Sequence, residues 1–480
     1  MTSSTIPILQ AILSHLRSQP VGFHVPGHKM GRGLSGELGS WLGAAGRLDL
    51  TEIPGLDDLH APTGAIREAQ RLAADAFGAE ETFFLINGST AGNIAMVMAA
   101  CSQNDTILVP RNLHKSVIHG LVLARALPAF YRPTVHPEFG IAGGVTVAEV
   151  ERAVQEHPEA KALLITSPTY HGICSDLEAI GEVVHRAGMM LLVDEAHGAH
   201  FAFHERLPKT AMESGADLAV QSTHKLLGSL TQSSMLHVQG ARVDRVRLRK
   251  RLQLMQSTSP SYLLMASLDC ARHQMVTEGR EMLERALAAA AAGAARLRDM
   301  HPLQLLDADD PLKWTIGVTG LGLSGTEAYD WLHGAGRMTL ELSDPYNVLA
   351  VLSYADGPRQ VERLLTALSK LPASGQPLAV PTAVEPPVGK RAIHLYEAFD
   401  LPSETVPLRE AAGRVSAEMV IPYPPGIPLL MPGEEWTEDM VEYVEQLRAA
   451  GVRFSGAEDS AINTVQVIRR SAVSLIDWKE

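Results

Sequence analysis

Short apolar runs recur along the first half of the chain, at 82–86, 106–109, 162–165, 190–193, 218–220 and 234–238. Between most of them the apolar positions change to helical spacing, near 90–101, 115–123, 147–156 and 177–187. Continuous apolar strands alternating with amphipathic helices predict an α/β unit whose sheet is mostly parallel and covered on both faces. Polar residues fall repeatedly just after these runs: Ser89 and Thr90, Asn112 and His114, Ser167, Asp194 and His197, and Ser222 to Lys225. In such sheets ligands bind beyond the carboxyl ends of the strands, so this convergence predicts a binding site there.

The flanking segments read differently. Near the N-terminus Leu9, Ile12, Leu13 and Leu16 predict one amphipathic helix, packed on the body or on a partner subunit. Residues 20–64 are rich in Gly and Pro with apolar residues interleaved, which predicts an ordered arm. The expected division is residues 1–64 helix and arm, 65–300 large domain, 301–371 smaller α/β domain, 372–388 proline-rich linker and 389–480 C-terminal domain. The small domain is given strands at 314–318 and 348–352.

Composition narrows the class. Over 480 residues, 46% hydrophobic and 20% charged residues describe an ordinary globular enzyme, and a net charge of −13 argues against nucleic acid as a partner. No run approaches the roughly 20 apolar residues of a membrane span, and no basic segment precedes the first apolar residues as in a secretory signal. Three scattered cysteines, Cys101, Cys174 and Cys270, point to reduced thiols and a cytoplasmic setting.

Three features carry chemistry. Lys225 follows the run 218–220 among Ser222, Thr223 and His224, with Gly228 and Ser229 behind it. A lysine so placed is poorly hydrated and its pKa falls, as a Schiff-base lysine requires; the plain alternative is a solvated loop lysine. Asp194 ends the run 190–193, with the small Ala196 beyond it. An acid there suits a pyridine nitrogen, or else caps a helix. Asn87-Gly88-Ser89-Thr90 leads into a helix whose free N–H groups suit a phosphate. Together they are the parts of a pyridoxal 5'-phosphate (PLP) site. His197, His200 and His204 beside Asp194 and Glu195 form a competing metal-like spacing, but Phe201 and Phe203 interleave and no shared face is assured, so no metal is assigned.

The segment Ser222-Thr223-His224-Lys225 with Gly228-Ser229 and Thr231-Gln232-Ser233-Ser234 resembles the cofactor-lysine signature of the bacterial ornithine/lysine/arginine decarboxylase family. Pro26-Gly27-His28-Lys29, Asn87-Gly88-Ser89-Thr90, Arg111-Asn112-Leu113-His114-Lys115-Ser116, Ser257-Thr258-Ser259-Pro260 and Pro422-Tyr423-Pro424-Pro425-Gly426 also resemble family segments, in the expected order. The resemblance implies the aspartate-aminotransferase (type I) fold and a short form without the receiver-like N-terminal wing domain. It implies decarboxylation of arginine, lysine or ornithine, with arginine favoured. It further implies that His114 stacks on the cofactor ring, that Ser222 and His224 contact its phosphate, and that Ser257 or Thr258 reaches a phosphate across a homodimer or larger homo-oligomer. His197 stands where some members carry tryptophan, and is placed near the cofactor. Glu341 and Asp344 are acids suited to the distal cation of a basic amino acid, or else solvated loop charges. Another PLP reaction, transamination or aldol cleavage, and a non-catalytic regulator are the competing readings.

Overall fold

A computed structural model describes residues 5–373, 375–380, 387, 389–423, 426–449 and 451–473. Its centre is a seven-stranded sheet of β1 (Glu81–Leu85), β2 (Thr106–Pro110), β3 (Leu127–Tyr131), β4 (Ala162–Thr166), β5 (Met190–Asp194), β6 (Leu218–Gln221) and β7 (Ser234–Val238). The spatial order is β1-β7-β6-β5-β4-β2-β3. Strands β2 to β6 pair in parallel, whereas β7 lies antiparallel between β1 and β6. Strand β1 therefore runs the same way as β6, and its carboxyl end reaches the same edge. In the registers, Thr166 stands opposite Asp194, Asp194 opposite Val220, and Leu85 opposite Ser234.

Because side chains alternate across a strand, the continuous apolar runs supply two cores at once. Leu164, Leu192 and Val220 pack on one face with Val97 and Val117 from the helices Gly88–Ala100 and Lys115–Ala124. Leu163, Ile165, Leu191, Val193 and Ala219 pack on the other with Val150, Ile180 and Val184 from Val147–Glu156 and Leu177–Arg186.

The N-terminal helix, Pro7–Arg17, packs on the body of the chain, but its buried positions are Ile8 and Ile12. Leu9, Leu13 and Leu16 are only partly covered. The i, i+4 pair wins because the Asp269 carboxylate accepts from Ile8 N at 3.0 Å and pins that face inward.

The small sheet is wholly antiparallel: β8 (Gln304–Leu305), β9 (Lys313–Gly317), β10 (Leu342–Ser343) and β11 (Asn347–Val351), in the order β8-β9-β11-β10. Its two long strands begin one residue earlier than the apolar pattern predicts, since Lys313 and Asn347 are themselves strand residues. The expected linker, 372–388, falls partly outside the described residues, as do Pro424 and Pro425 of the C-terminal motif.

Arg111 ties the large sheet to the C-terminal segment. It follows β2, and its guanidinium makes two 2.6 Å bonds to the Glu434 carboxylate, both side chains being largely buried. It also donates to the carbonyls of Pro428 and Leu429. Such a fork fixes orientation as well as proximity.

Candidate active site

The carboxyl edge of the large sheet gathers the predicted residues. Asp194 is the last residue of β5 and is 3% exposed. Its Oδ2 accepts from Asn93 Nδ2 at 2.8 Å, and its Oδ1 from the backbone of Ala196 at 3.2 Å. Asn93 also donates to Ser116 Oγ at 3.0 Å, and that hydroxyl lies 2.7 Å from His114 Nδ1. A hydrogen-bonded line thus runs from His114 to Asp194 through two residues the sequence reading missed. The signal was available: Asn93 is one helical turn beyond Ser89, on the same face.

His114 caps the helix Lys115–Ala124 by accepting from Ser116 N at 3.2 Å. Solvent reaches it from the cleft, yet enough protein surrounds it that burial lowers its pKa, opposed by Asp194.

At the start of the 13-residue helix Gly88–Ala100, Ser89 Oγ lies 2.7 Å from Ser222 Oγ and 3.1 Å from Ser234 Oγ. Three hydroxyls, from the helix after β1, the residue after β6 and the start of β7, meet at one helix N-terminus, where anions are favoured. Thr90 is exposed in the first turn of that helix. His224 Nδ1 donates to the Ser233 carbonyl at 2.7 Å, leaving Nε2 for a ligand.

Lys225 opens onto the same cleft. Burial lowers its pKa, against the pull of Asp194 and Glu341. Its Nζ lies 2.9 Å from His197 Nε2 and 5.4 Å from the centre of the Tyr170 ring. The Tyr170 ring lies 4.2 Å from that of His197, and its hydroxyl donates to Glu341 Oε1 at 3.2 Å. Tyr170 was not anticipated; it follows β4 as His114 follows β2.

The other predicted residues separate. His197 joins Lys225, whereas His200 lies 3.2 Å from Asp310 and His204 2.9 Å from Glu284. The segment holds only the short 3₁₀ turn Phe201–Phe203, so the three histidines share no face. Asp344 does not join the site: its carboxylate accepts from the backbone of Tyr346 and Asn347 and from Asn347 Nδ2, locking the turn between β10 and β11. Thr258 is exposed in a loop whose Ser257 N donates to Asn87, beside the hydroxyl cluster, and it makes no bond there among the described residues.

The donor set fits pyridoxal phosphate. Asp194 is a buried carboxylate with no cation within ion-pair distance among the described residues, an arrangement that a protonated ring nitrogen completes. Ser89, Ser222, Ser234 and the helix N-terminus suit the phosphate, and Lys225 offers an amine with a lowered pKa.

The model of the Orn/Lys/Arg decarboxylase major domain matches residues 6–307, and that of the C-terminal domain matches residues 392–469. The chain is 40% identical over 484 residues to an arginine decarboxylase of Bacillus subtilis (strain 168), covering 98% of this chain and 99% of that protein. It is 41% identical over 478 residues to an arginine decarboxylase of Bacillus anthracis, covering 96% and 97%. Its fold matches the crystal structure of the Francisella novicida lysine decarboxylase with a TM-score of 0.83 at 23% identity, over 97% of this chain and 81% of the other. The large sheet, the site at its carboxyl edge and the match along nearly the whole sequence have one explanation: the chain belongs to the ornithine/lysine/arginine decarboxylase family.

Proposed function

We propose that this protein removes the α-carboxylate of a basic amino acid as CO2, with arginine favoured over lysine and ornithine. The observation that carries the reading is the buried, cation-free Asp194 on the same sheet edge as Lys225 and the three-serine cluster. Bound pyridoxal phosphate supplies an electron sink for the pair left at Cα. Asp194 holds a proton at the pyridine nitrogen, and Asn93 and Ala196 N fix the carboxylate's direction. Ser89, Ser222, Ser234 and His224 anchor the phosphate, and His114 stacks on the ring. Lys225 supplies the amine that holds the group and afterwards the proton returned to Cα. Glu341, braced by the Tyr170 hydroxyl, receives the distal cation of the substrate.

The arginine preference rests on the names of the two Bacillus relatives, both arginine decarboxylases. We also take the protein to be a cytoplasmic homodimer or larger homo-oligomer in which Ser257 or Thr258 reaches a phosphate in the neighbouring subunit. Phe23 and Trp41 support this, being 92% and 85% exposed on the N-terminal arm. No helix among the described residues is long and apolar enough to cross a membrane.

The test is CO2 release from arginine, lysine and ornithine in parallel, with 2-oxo acid formation followed in the same samples. Fastest release from arginine is expected. Oxo-acid formation without CO2 would replace decarboxylation by transamination.

A further inference from the structure

A second amine stands behind His197. Lys313 opens β9 and is 1% exposed, in a strand otherwise made of Trp314, Thr315, Ile316 and Gly317. Among the described residues its Nζ has one hydrogen-bond partner, His197 Nδ1 at 3.0 Å. The other ring nitrogen of His197 meets Lys225 Nζ at 2.9 Å. The line Lys225–His197–Lys313 therefore joins the large sheet to the small one. Gly172, at φ +81°, lets Lys313 in: a Cβ there would lie 2.8 Å from the Cβ and Cγ of the lysine.

Counting donors limits what this line holds. An ammonium has three N–H groups and no lone pair, whereas a neutral imidazole has one of each. If both lysines were ammonium ions on a neutral ring, one contact would set N–H against N–H. If the ring were an imidazolium, both lysines would have to be neutral amines. With both hydrogen bonds made, the three groups together carry at most one proton beyond their neutral forms.

We propose that Lys313 and Lys225 share a single proton through His197, so that Lys313 stores it whenever Lys225 must act as a free amine. The inference rests on Lys225 being the cofactor lysine. In the transfer an N–H bond of the Lys225 ammonium breaks as Nε2–H forms on His197. The Nδ1–H bond breaks as a new N–H bond forms on Lys313. The positive charge passes from one lysine to the other, the imidazole ends neutral in its other tautomer, and no co-reactant is consumed. Lys313 is thus a positioning residue for the proton, acting on the chemistry only through His197.

The surroundings agree with the count. Burial brings the Lys313 ammonium down to about 8, against the carboxylates of Asp310 and Glu341 and helped by the charge of Lys225. Burial and the two lysines, with His200 and His114 adding, push His197 well below the ordinary histidine range, so its ring stays neutral. On the far side of Lys313, His171 bonds to Thr315, and burial lowers it to about 4. On the Lys225 side, burial lowers His114 and His224 as well. The carboxylates facing the line are Asp194, Glu341 and Asp310, and the shared proton sits among them.

The test labels Lys225 with acetic anhydride in the full chain freed of cofactor, over a pH series, and scores its peptide by mass spectrometry. K313M is expected to raise the pH midpoint of Lys225 by at least about one unit, a tenfold loss of labelling near neutrality. K313R, a permanent cation, keeps the low midpoint. H197L, which offers neither donor nor acceptor, raises it. H197Q offers one of each, so it keeps the midpoint; because it passes no proton between its ends, it lowers kcat of the holoenzyme at unchanged KM. Should K313M fail to fold, as judged by circular dichroism, K313Q carries the same expectation. An unchanged midpoint in K313M or K313Q overturns the proposal. So does an unchanged midpoint in H197L beside a raised one in K313M, which would mean a through-space effect of charge. A full kcat in H197Q overturns the transfer. Failure of the cofactor-lysine reading shows separately, as wild-type holoenzyme in which borohydride does not fix the cofactor on the Lys225 peptide.

Discussion

The two walls of the cleft are built on different plans. The large-sheet wall takes Ser89, His114, Asp194, Ser222 and Lys225 from at or just beyond the carboxyl ends of β1, β2, β5 and β6, each within a short polar stretch of the sequence. The small-sheet wall contributes single residues, Lys313 from the start of β9 and Glu341 just before β10, with no local motif around either. A parallel sheet brings many strand ends to one edge, so it displays a site as a series of motifs. An antiparallel sheet returns the chain at once and presents isolated side chains instead. The first wall is knitted by many side-chain bonds among the residues proposed to hold the cofactor. The second sets the Glu341 carboxylate against the Tyr170 hydroxyl and the buried Lys313 amine behind His197.

Substitutions on each wall should therefore fail in different ways. The largest effect is expected from K225A, which removes the amine proposed to hold the cofactor. Turnover should fall about 10⁴-fold or more, with loss of the visible absorption band of the bound cofactor. Retained CO2 release would break the assignment of the large-sheet wall. Next, R111M leaves the Glu434 carboxylate buried without its partner. A loss of about 3–5 kcal/mol is expected, read as a lower denaturant midpoint, because the cation is gone while the anion stays desolvated. An unchanged midpoint would mean that the C-terminal segment does not depend on this clamp.

D194N keeps the shape of the large-sheet wall while removing its charge. A fall in kcat of about 10²–10³-fold is expected, comparable with removing one preorganised electrostatic partner. Cofactor should remain bound through the serine cluster, as its absorbance would report. The smallest effect belongs to the other wall. E341Q should raise KM for arginine about tenfold, close to 1.4 kcal/mol, with kcat nearly unchanged, because the distal cation is held alike in ground and transition states. If E341Q instead lowered kcat alone, Glu341 would act on Lys225 and Lys313 rather than on the substrate.

The same difference explains what could be read in advance. The helix Lys115–Ala124 and the strand ending at Asp194 were visible because apolar runs and helical spacing alternate with little interruption. Glu341 and Asp344 look alike in sequence, as two acids three residues apart after an apolar approach. Only the fold separates them: Asp344 locks a turn through Tyr346 and Asn347, whereas Glu341 receives the Tyr170 hydroxyl. Likewise His197, His200 and His204 share a spacing but go to Lys225, Asp310 and Glu284.

The sequence by itself determined the alternating α/β plan, the sheet edge where polar residues collect, and the lysine, the acid and the Gly-Ser-Thr turn placed on it. These follow from local periodicity and from chemistry carried within a few residues of each strand end. Tertiary structure alone decided which distant side chains complete the cleft. Lys313 and His197 are 116 residues apart, and Asn93 and Asp194 are 101 apart. The first depends on how the two sheets close on one another and the second on how a helix packs across the large sheet, and no periodicity within any of these segments encodes either.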